Sequence, residues 1–347
     1  MSFTAFNPED SVVSADATIS PMWSNDTTTL TTLYSSSIQE SSVAGTFYLD
    51  VYQTGSLLPN AEVQFSIAYG HVSGSGSAYF NASIPEKTPT RDIYGQFRSL
   101  IYGDENTSFT FGSNNNSSKD IIVLSVNRAR FKESFNPGSM TLTLANGGNV
   151  LKLTDDSTVT TAATYIGTAR VYQLLSGSYN SVYSSAYTVS GSYGIVIPDE
   201  GLIILNPRAL ANPAGNLGGL GVTFNEWSSS QAASWAQVSG SYSLNSRIVY
   251  DLINNGGSFR LQNYETISSR YFFVRVKNAE NNYTTNPTVI DSNGNLLYTS
   301  LIYNPQTYIT AVGLYNDSGD LLAVAKVNKP LVKDFTKELL LRVKLDF

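Results

Sequence analysis

The last nine residues of this 347-residue chain alternate between apolar and mainly polar side chains, which is the period of a β-strand. One face would carry Leu339, Leu341, Val343, Leu345 and Phe347, and the other Leu340, Arg342, Lys344 and Asp346. The pattern predicts a half-buried strand that continues to the final residue. We expect the preceding hairpin sequence to be its pairing partner, so that the strand closes a C-terminal β-domain. Whether its outer edge pairs with a neighbouring subunit stays open.

Composition extends the β expectation to the whole chain. Charged residues make up 14% of the sequence, against about 25% in ordinary globular proteins. Polarity comes instead from Ser, Thr, Asn and Gly, which favour turns and strands over long helices because their side chains or flexibility compete with helical hydrogen bonding. We predict a mainly β protein with antiparallel β-sandwich or jelly-roll-like domains, an extended N-terminal arm and one or two short helices.

Four segments follow from local composition. Residues 1–45 predict an extended arm that lies on other protein, with a partly disordered terminus as the alternative. Residues 46–160 predict a β-domain, and residues 161–258 a Ser/Tyr-rich β-domain or insertion with a short helix. Residues 259–347 predict a C-terminal β-domain that packs with the second segment.

Several strands and hairpins can be located within these segments. The continuous apolar start of the predicted strand Ile121–Arg130 indicates burial on both faces. Residues 194–205, GIVIPDEGLIIL, predict a hairpin that turns through Pro198 to Gly201. Asp291–Asn295 and Asn316–Asp320 predict two further hairpin loops, the first joining TVI to LLYTSLIY.

Helical signals are fewer. Residues 225–238, NEWSSSQAASWAQV, form the best short helix candidate, and the following SLNSRIVYDLINNGG can continue it. The segment IYGQFRSLIYG fits a helix or a strand equally well.

Charge and cysteine content exclude several classes of function. The net charge is −6 and the sequence pI about 4.9, so nucleic acid and anionic membranes are poor partners. The absence of cysteine excludes disulfides, thiolate metal sites and a Cys nucleophile. No basic and apolar leader opens the sequence and no apolar run reaches about 18 residues, so we expect a protein made in the cytoplasm and no membrane partner.

No catalytic, cofactor-binding or metal residue is predicted. The single histidine, His71, precedes VSGSGS, but no nucleophile elbow supports a Ser-His-Asp triad, and loop or interface packing is the expectation for it. Gly74 and Gly76 lack the Lys and third Gly of a phosphate loop. A zinc site would have to be nearly all carboxylate.

The acidic residues likewise predict no catalytic or metal site from their local sequence pattern. Asp155-Asp156 and Asp199-Glu200 are adjacent pairs, and adjacent strand residues point to opposite faces, so neither pair predicts a shared acid/base dyad. The loops Asp291–Asn295 and Asn316–Asp320 lack the acidic spacing of a calcium loop, and turn chemistry explains both. Glycoside hydrolysis by carboxylates that meet from separate segments stays open.

The 22 tyrosines admit three interpretations. Tyrosine gives large contact area at protein interfaces, stacks on sugar rings in glycan sites, and packs in strands with its hydroxyl in water. Interface use is favoured.

One segment resembles a known family. TYITAVGLYNDSGDLLAVAKVNKPLVK is similar to a hairpin that recurs in tail-fibre and baseplate-associated virion proteins of tailed bacteriophages, and the likeness runs from Ile309 to Lys326. RYFFVRVKNAENNYTTNPTVID, DIIVLSVNRARFKESFNPGSMTLTL and VQFSIAYGHVSGSGSAYF also resemble structural proteins of contractile-tailed phages, including those of cyanobacteria. The resemblance implies a non-enzymatic virion component of the tail, baseplate or neck, without cofactors, that assembles with other virion proteins and with itself.

Three alternatives remain. A glycan-binding, receptor-binding protein of the virion and a capsid or decoration protein both fit the composition. A terminal Phe after alternating apolar residues is also typical of outer-membrane proteins, but the missing leader and the two-sided apolar run argue against that class.

Overall fold

The structure, a computed structural model, describes residues 5–35, 48–76, 88–112, 117–160, 162, 164–215, 218–224, 245–284 and 286–346. Strands hold 46% of the residues and helices 17%, and the sheets are antiparallel. The predicted fold class, mainly β with antiparallel sheets and few short helices, is confirmed.

The secondary-structure elements are numbered in chain order. The strands are β1 Ser11–Pro21, β2 Thr29–Leu30, β3 Tyr34–Ser35, β4 Leu49–Tyr52, β5 Val63–His71, β6 Phe109–Thr110, β7 Ser117–Ser118, β8 Asp120–Val126, β9 Ser134–Phe135, β10 Thr141–Asn146, β11 Asn149–Asp155, β12 Thr164–Ile166, β13 Ala169–Ser178, β14 Ser181–Ser184, β15 Gly194–Ile197, β16 Leu202–Leu205, β17 Ser258–Arg260, β18 Gln262–Val276, β19 Thr307–Tyr315, β20 Leu321–Lys333 and β21 Leu339–Asp346. The described α-helices are α1 Pro89–Tyr102, α2 Arg128–Phe131, α3 Pro207–Ala211, α4 Asn245–Asn254 and α5 Thr299–Tyr303.

The chain divides into two compact units. The central unit is Thr18–Glu265, and the terminal unit combines residues 1–17 with residues 266–347. The boundary falls within β1 and within β18. Residues of the predicted N-terminal arm therefore contribute to both units.

A curled 13-stranded sheet dominates the central unit. Its strands follow the order β2-β17-β10-β11-β13-β15-β16-β8-β5-β4-β3, and β12 and β14 also pair with β13. Strands from the predicted 46–160 and 161–258 segments therefore share one sheet. The predicted hairpin at residues 194–205 is present as β15 and β16, with Ile195 opposite Ile204 and Ile197 opposite Leu202.

The middle of this sheet is buried on both faces. In β8, Ile122, Leu124 and Val126 belong to one hydrophobic cluster, whereas Ile121 and Val123 belong to a second. Alternate residues of a strand point to opposite faces, so the two clusters lie on opposite sides of the sheet. The continuous apolar run thus has the two-sided burial that it predicts.

Helices supply much of the cover on each face. Tyr94 and Ile101 of α1 lie in the second cluster, and Val249 and Ile253 of α4 lie in the first. The ambiguous IYGQFRSLIYG segment is thus helical, in α1, which has Pro89 in its first turn and ends at Gly103 in the left-handed conformation. The helix candidate at residues 225–238 lies outside the described residues, and SLNSRIVYDLINNGG contains α4.

The terminal unit contains the C-terminal strand. β21 pairs antiparallel with β18, from Ser269 opposite Asp346 to Val276 opposite Leu339, and β1 lies on the other side of β18. β19 and β20 form a separate two-stranded sheet, the β19–β20 hairpin.

Three local expectations need correction. The pairing partner of β21 is β18 and not the preceding hairpin, because Ser269–Val276 offers eight matched positions. The strand expected over Ile121–Arg130 ends at Val126, where Asn127 accepts a hydrogen bond from the Ala129 N–H and begins α2. Asp291–Asn295 closes only a single bridge between Ile290 and Leu296, and LLYTSLIY contains the helix α5.

Candidate assembly surface

The terminal unit has almost no hydrophobic core of its own. Among the described residues, three apolar side chains are buried in it, Val276, Leu314 and Val343, against forty-nine in the central unit. Both hydrophobic clusters consist of central-unit residues. Fifteen large apolar side chains of the terminal unit are instead exposed, more than the twelve of the much longer central unit. Surplus exposed apolar surface of this kind is typical of association sites.

Ten of these exposed side chains lie between residues 297 and 335, five of them within the β19–β20 hairpin. They are Leu297, Tyr298, Ile302, Tyr303, Tyr308, Tyr315, Leu321, Leu322, Val324 and Phe335, and Tyr303 is 90% exposed. Two-stranded hairpins are marginally stable in water. A hairpin of this length with an apolar surface therefore gains most from a partner that covers it.

The hairpin is closed by a well-formed turn. The side chain of Asn316 accepts from the Asp320 N–H at 2.7 Å and donates to the Asp320 carboxylate at 2.9 Å. Gly319 has φ +86°, a conformation that glycine adopts without steric cost. The loop predicted from turn chemistry is present, and the Asp320 carboxylate takes part in its hydrogen bonds.

The register of the hairpin shifts at two places, between Leu314 and Tyr315 near the turn and, by more residues, between Ile309 and Ala311. Ile309 pairs with Leu331 and Ala311 with Lys326, so Val327–Pro330 of β20 face only Thr310 of β19. This is a large bulge confined to β20. Bulges twist a strand and remove ladder positions from its outer edge.

A buried lysine fixes the open end of the hairpin. Lys333 has no solvent exposure, and its Nζ donates to Asn278 O at 2.9 Å, Asn282 Oδ1 at 2.8 Å and Asp334 O at 2.9 Å. The three donors of the amino group are thus all used. Thr307, opposite Lys333, donates its hydroxyl to Asn281 O. The loop 278–282 is thereby tied to both strands.

The predicted alternation of the last strand is present. Val343 is buried, Leu339, Leu341 and Leu345 are half-buried, and the residues between them are exposed. Phe347 lies outside the described residues. The buried face of β21 meets Val274 and Phe272 of β18 in the register.

The opposite face of β21 is held by charged and aromatic groups. Lys344 bonds Asp346 at 3.0 Å, and the guanidinium of Arg342 lies 5.4 Å from the ring centre of Tyr271. The Asp346 carboxylate raises the pKa of Lys344, and hydrogen bonds from Ser269 and Lys344 lower the pKa of Asp346. Because these groups are exposed, they add specificity more than stability.

His71 lies at the end of β5, opposite Asp120 of β8, and is buried. Its Nδ1 accepts the Ser73 N–H at 3.1 Å, and the Ser73 hydroxyl lies 3.0 Å from the same nitrogen. Asp120 accepts from the hydroxyls of Tyr69 and Ser118. A triad needs the serine and the carboxylate on different ring nitrogens, whereas the His71–Ser73 contact is that of a local turn. These contacts fit loop packing.

The turn after His71 contains Gly74 and Gly76, both with φ +80°. The Gly74 N–H donates to His71 O at 3.0 Å. Among the described residues, the next helix after these glycines is α1, which begins at Pro89, so in this part of the structure the glycines do not open a helix of the kind that cradles phosphate.

Asp155 and Asp156 are buried at the end of β11 and point to different partners. Asp155 accepts from the Gly138 N–H and the Ser157 N–H, and Asp156 from the Gln173 N–H and the Thr160 hydroxyl. Burial raises the pKa of both carboxyls. Their oxygens hold neighbouring turns and strands in place.

Of the remaining acidic candidates, Asp199 and Glu200 are exposed and Asp291 is half-buried. Asp199 pairs with Arg170 at 2.8 Å in the turn between β15 and β16, beside Glu200. Asp291 accepts from the N–H groups of Asn293 and Asn295, both at 2.8 Å, and the Asn295 donors hold its pKa below its usual range. Across the described ranges, no cluster of three or more His, Cys, Asp or Glu side chains could hold a metal ion.

The described helices include none that is both long and apolar enough to cross a membrane. Comparisons with protein families, with curated proteins and with solved structures gave no match.

Sequence reasoning located the hairpin but missed two of its features. The burial of Lys333 carries no signal, because Lys in KPLVK is expected in solvent at the end of an edge strand. The bulge has a signal in Pro330, which cannot donate to a ladder and is confined to edges and bulges.

Proposed function

We propose that this chain is a non-enzymatic structural component of a tailed-phage virion, in the tail, baseplate or neck. Its work is assembly with other virion proteins, and its terminal unit is the part that associates. The observation that carries the proposal is the shortage of buried apolar side chains in that unit, three, beside fifteen exposed ones. Obligate interfaces resemble a domain core cut in half, and a unit of this composition is one half of such a core.

Two further observations support the proposal. The segment Ile309–Lys326, which resembles the virion hairpin, coincides with most of the exposed β19–β20 hairpin. The contacts of His71, Asp155 and Asp156 are those of turns and strand ends, which agrees with a structural role for these residues.

Mass spectrometry of purified particles tests this function. Particles of a tailed phage that encodes this chain are purified through a density gradient, and their peptides are quantified against the major capsid protein. We expect a constant copy number per particle across gradient fractions. Absence of the chain, or a copy number that falls with each purification step, would overturn the proposal.

A matched pair of variants separates assembly from folding. Leu322→Asp and Val324→Asp together place charge on the exposed hairpin surface, whereas Leu57→Asp and Leu58→Asp place it on an exposed loop of the central unit. We expect the hairpin variant to be soluble but lost from particles, and the loop variant to be incorporated. Equal incorporation of both would contradict the assignment to the terminal unit.

A further inference from the structure

The two outer edges of the β19–β20 hairpin differ in how they are protected. β20 carries Lys326, Lys329 and Pro330 and the bulge Val327–Pro330. Lysine, proline and bulges are the devices by which proteins prevent pairing at an open edge. The outer edge of β20 is therefore closed to a further strand.

The outer edge of β19 has none of these devices. Its sequence TYITAVGLY contains no charged residue and no proline, and no other strand among the described residues pairs with it. Tyr308 is 62% exposed, and Thr310, Ala311 and Gly313 are exposed as well. Of the outer strands of the terminal unit, β1 carries Asp16 and β21 carries Arg342 and Lys344. β19 is the uncharged one.

An uncharged edge of this kind suits a second copy of itself. When a strand pairs with a second copy of itself, the partner strand carries the same charges. Like charges on the two strands repel, so a charged edge disfavours this pairing and an uncharged edge does not. Antiparallel pairing about a two-fold axis also uses the same edge of each subunit, so that one surface forms both sides of the interface. Resting on the assembly function proposed above, we propose that β19 pairs antiparallel with β19 of a second copy and joins two hairpins into a four-stranded sheet.

The proposal fixes a register. Tyr308–Leu314 is the stretch of β19 beyond the Thr307 contact to Asn281, and its centre is Ala311. With the two-fold axis at this residue, Ala311 faces Ala311 of the second copy and Tyr308 faces its Leu314. The small side chains at the axis allow close approach of the two strands.

Charge substitutions at the axis test the pairing. Sedimentation velocity of the full chain measures self-association of the wild type, Ala311→Lys, Ala311→Asp and a control, Leu57→Lys, which adds the same charge at an exposed loop position of the central unit. We expect each Ala311 variant to dimerise at least about tenfold more weakly than the wild type, because like charges would meet at the axis. We expect the control to stay within about twofold of the wild type. Circular dichroism of each variant establishes that it is folded.

Mixing the variants removes the ambiguity of a folding defect. An equimolar mixture of Ala311→Lys and Ala311→Asp chains is expected to form heterodimers, visible as the mixed mass in native mass spectrometry, and to recover wild-type association. Recovery cannot come from two misfolded chains. A monomeric wild type, equal effects of Leu57→Lys and Ala311→Lys, or no recovery in the mixture would each overturn the pairing.

The two proposals fail separately. A chain that is present in particles but monomeric in solution keeps the virion function and loses the β19 pairing. A chain that dimerises through β19 but is absent from particles keeps the pairing and loses the virion function.

Discussion

Lys333 illustrates at the scale of one residue how the terminal unit holds together without a large core. A buried amino group is costly unless all its donors are used, and here three oxygens from the loop 278–282 and from Asp334 accept them. The hydrogen bonds replace part of the stabilisation that apolar packing gives in the central unit.

Replacing Lys333 by Met is therefore expected to destabilise the terminal unit by about 2–4 kcal/mol, because the substitution leaves buried acceptors without donors. Hydrogen exchange of the amides in residues 278–284 measures the effect and should become faster. The control Lys329→Met removes the same charge from an exposed position and should leave exchange unchanged. Unchanged exchange in the Lys333 variant would show that the bonds contribute nothing.

Residue types alone could predict the turns but not the burial of single polar groups. Asn316 and Gly319 have side chains or conformations that favour a turn locally, so the sequence suffices for them. The burial of Lys333 depends on contacts with Asn278 and Asn282, and His71 lies opposite Asp120. Because these residues are distant along the chain, no local sequence pattern predicts the burial.

At the scale of elements, period-two alternation predicted β21 correctly but not its partner. Alternation states which side chains share a face, whereas the pairing with β18 depends on a register across more than sixty residues of intervening chain. The same limit applies to LLYTSLIY, where apolar residues without a strict period formed α5. Short apolar runs fit strand and helix alike until tertiary contacts decide.

The alternation of β21 gives a paired prediction. Val343 is buried opposite Phe272, and Leu340, three residues earlier, is 60% exposed. We expect Val343→Ser to destabilise the β18–β21 pair by about 2–3 kcal/mol, through lost apolar burial and a buried hydroxyl. Leu340→Ser should cost less than about 0.5 kcal/mol.

Hydrogen exchange of the amides in Ser269–Val276 distinguishes the two variants, since these residues form the ladder with β21. Faster exchange in Val343→Ser alone is the expected result. Similar exchange in both variants would mean that the faces of β21 are not differently buried.

At the scale of the whole molecule, the two units contrast in how their stability is supplied. The central unit has a sheet covered on both faces by two hydrophobic clusters. The described part of the terminal unit has fifteen exposed large apolar side chains and three buried ones. Apolar residues alternate or cluster in strands of both units, so composition could predict the β class but not which unit lacks a core.

Because binding to a partner stabilises only what the partner covers, the terminal unit should gain stability with protein concentration. Hydrogen exchange of the wild-type chain at about 1 µM and about 100 µM is the measurement. We expect slower exchange at the higher concentration in β19 and β20, since association would cover them, and no change in β8, which is already buried on both faces. The Ala311→Lys chain serves as the control and should exchange alike at both concentrations. If β8 slowed as much as β19, or neither changed, the terminal unit would not be the part of the molecule that a partner completes.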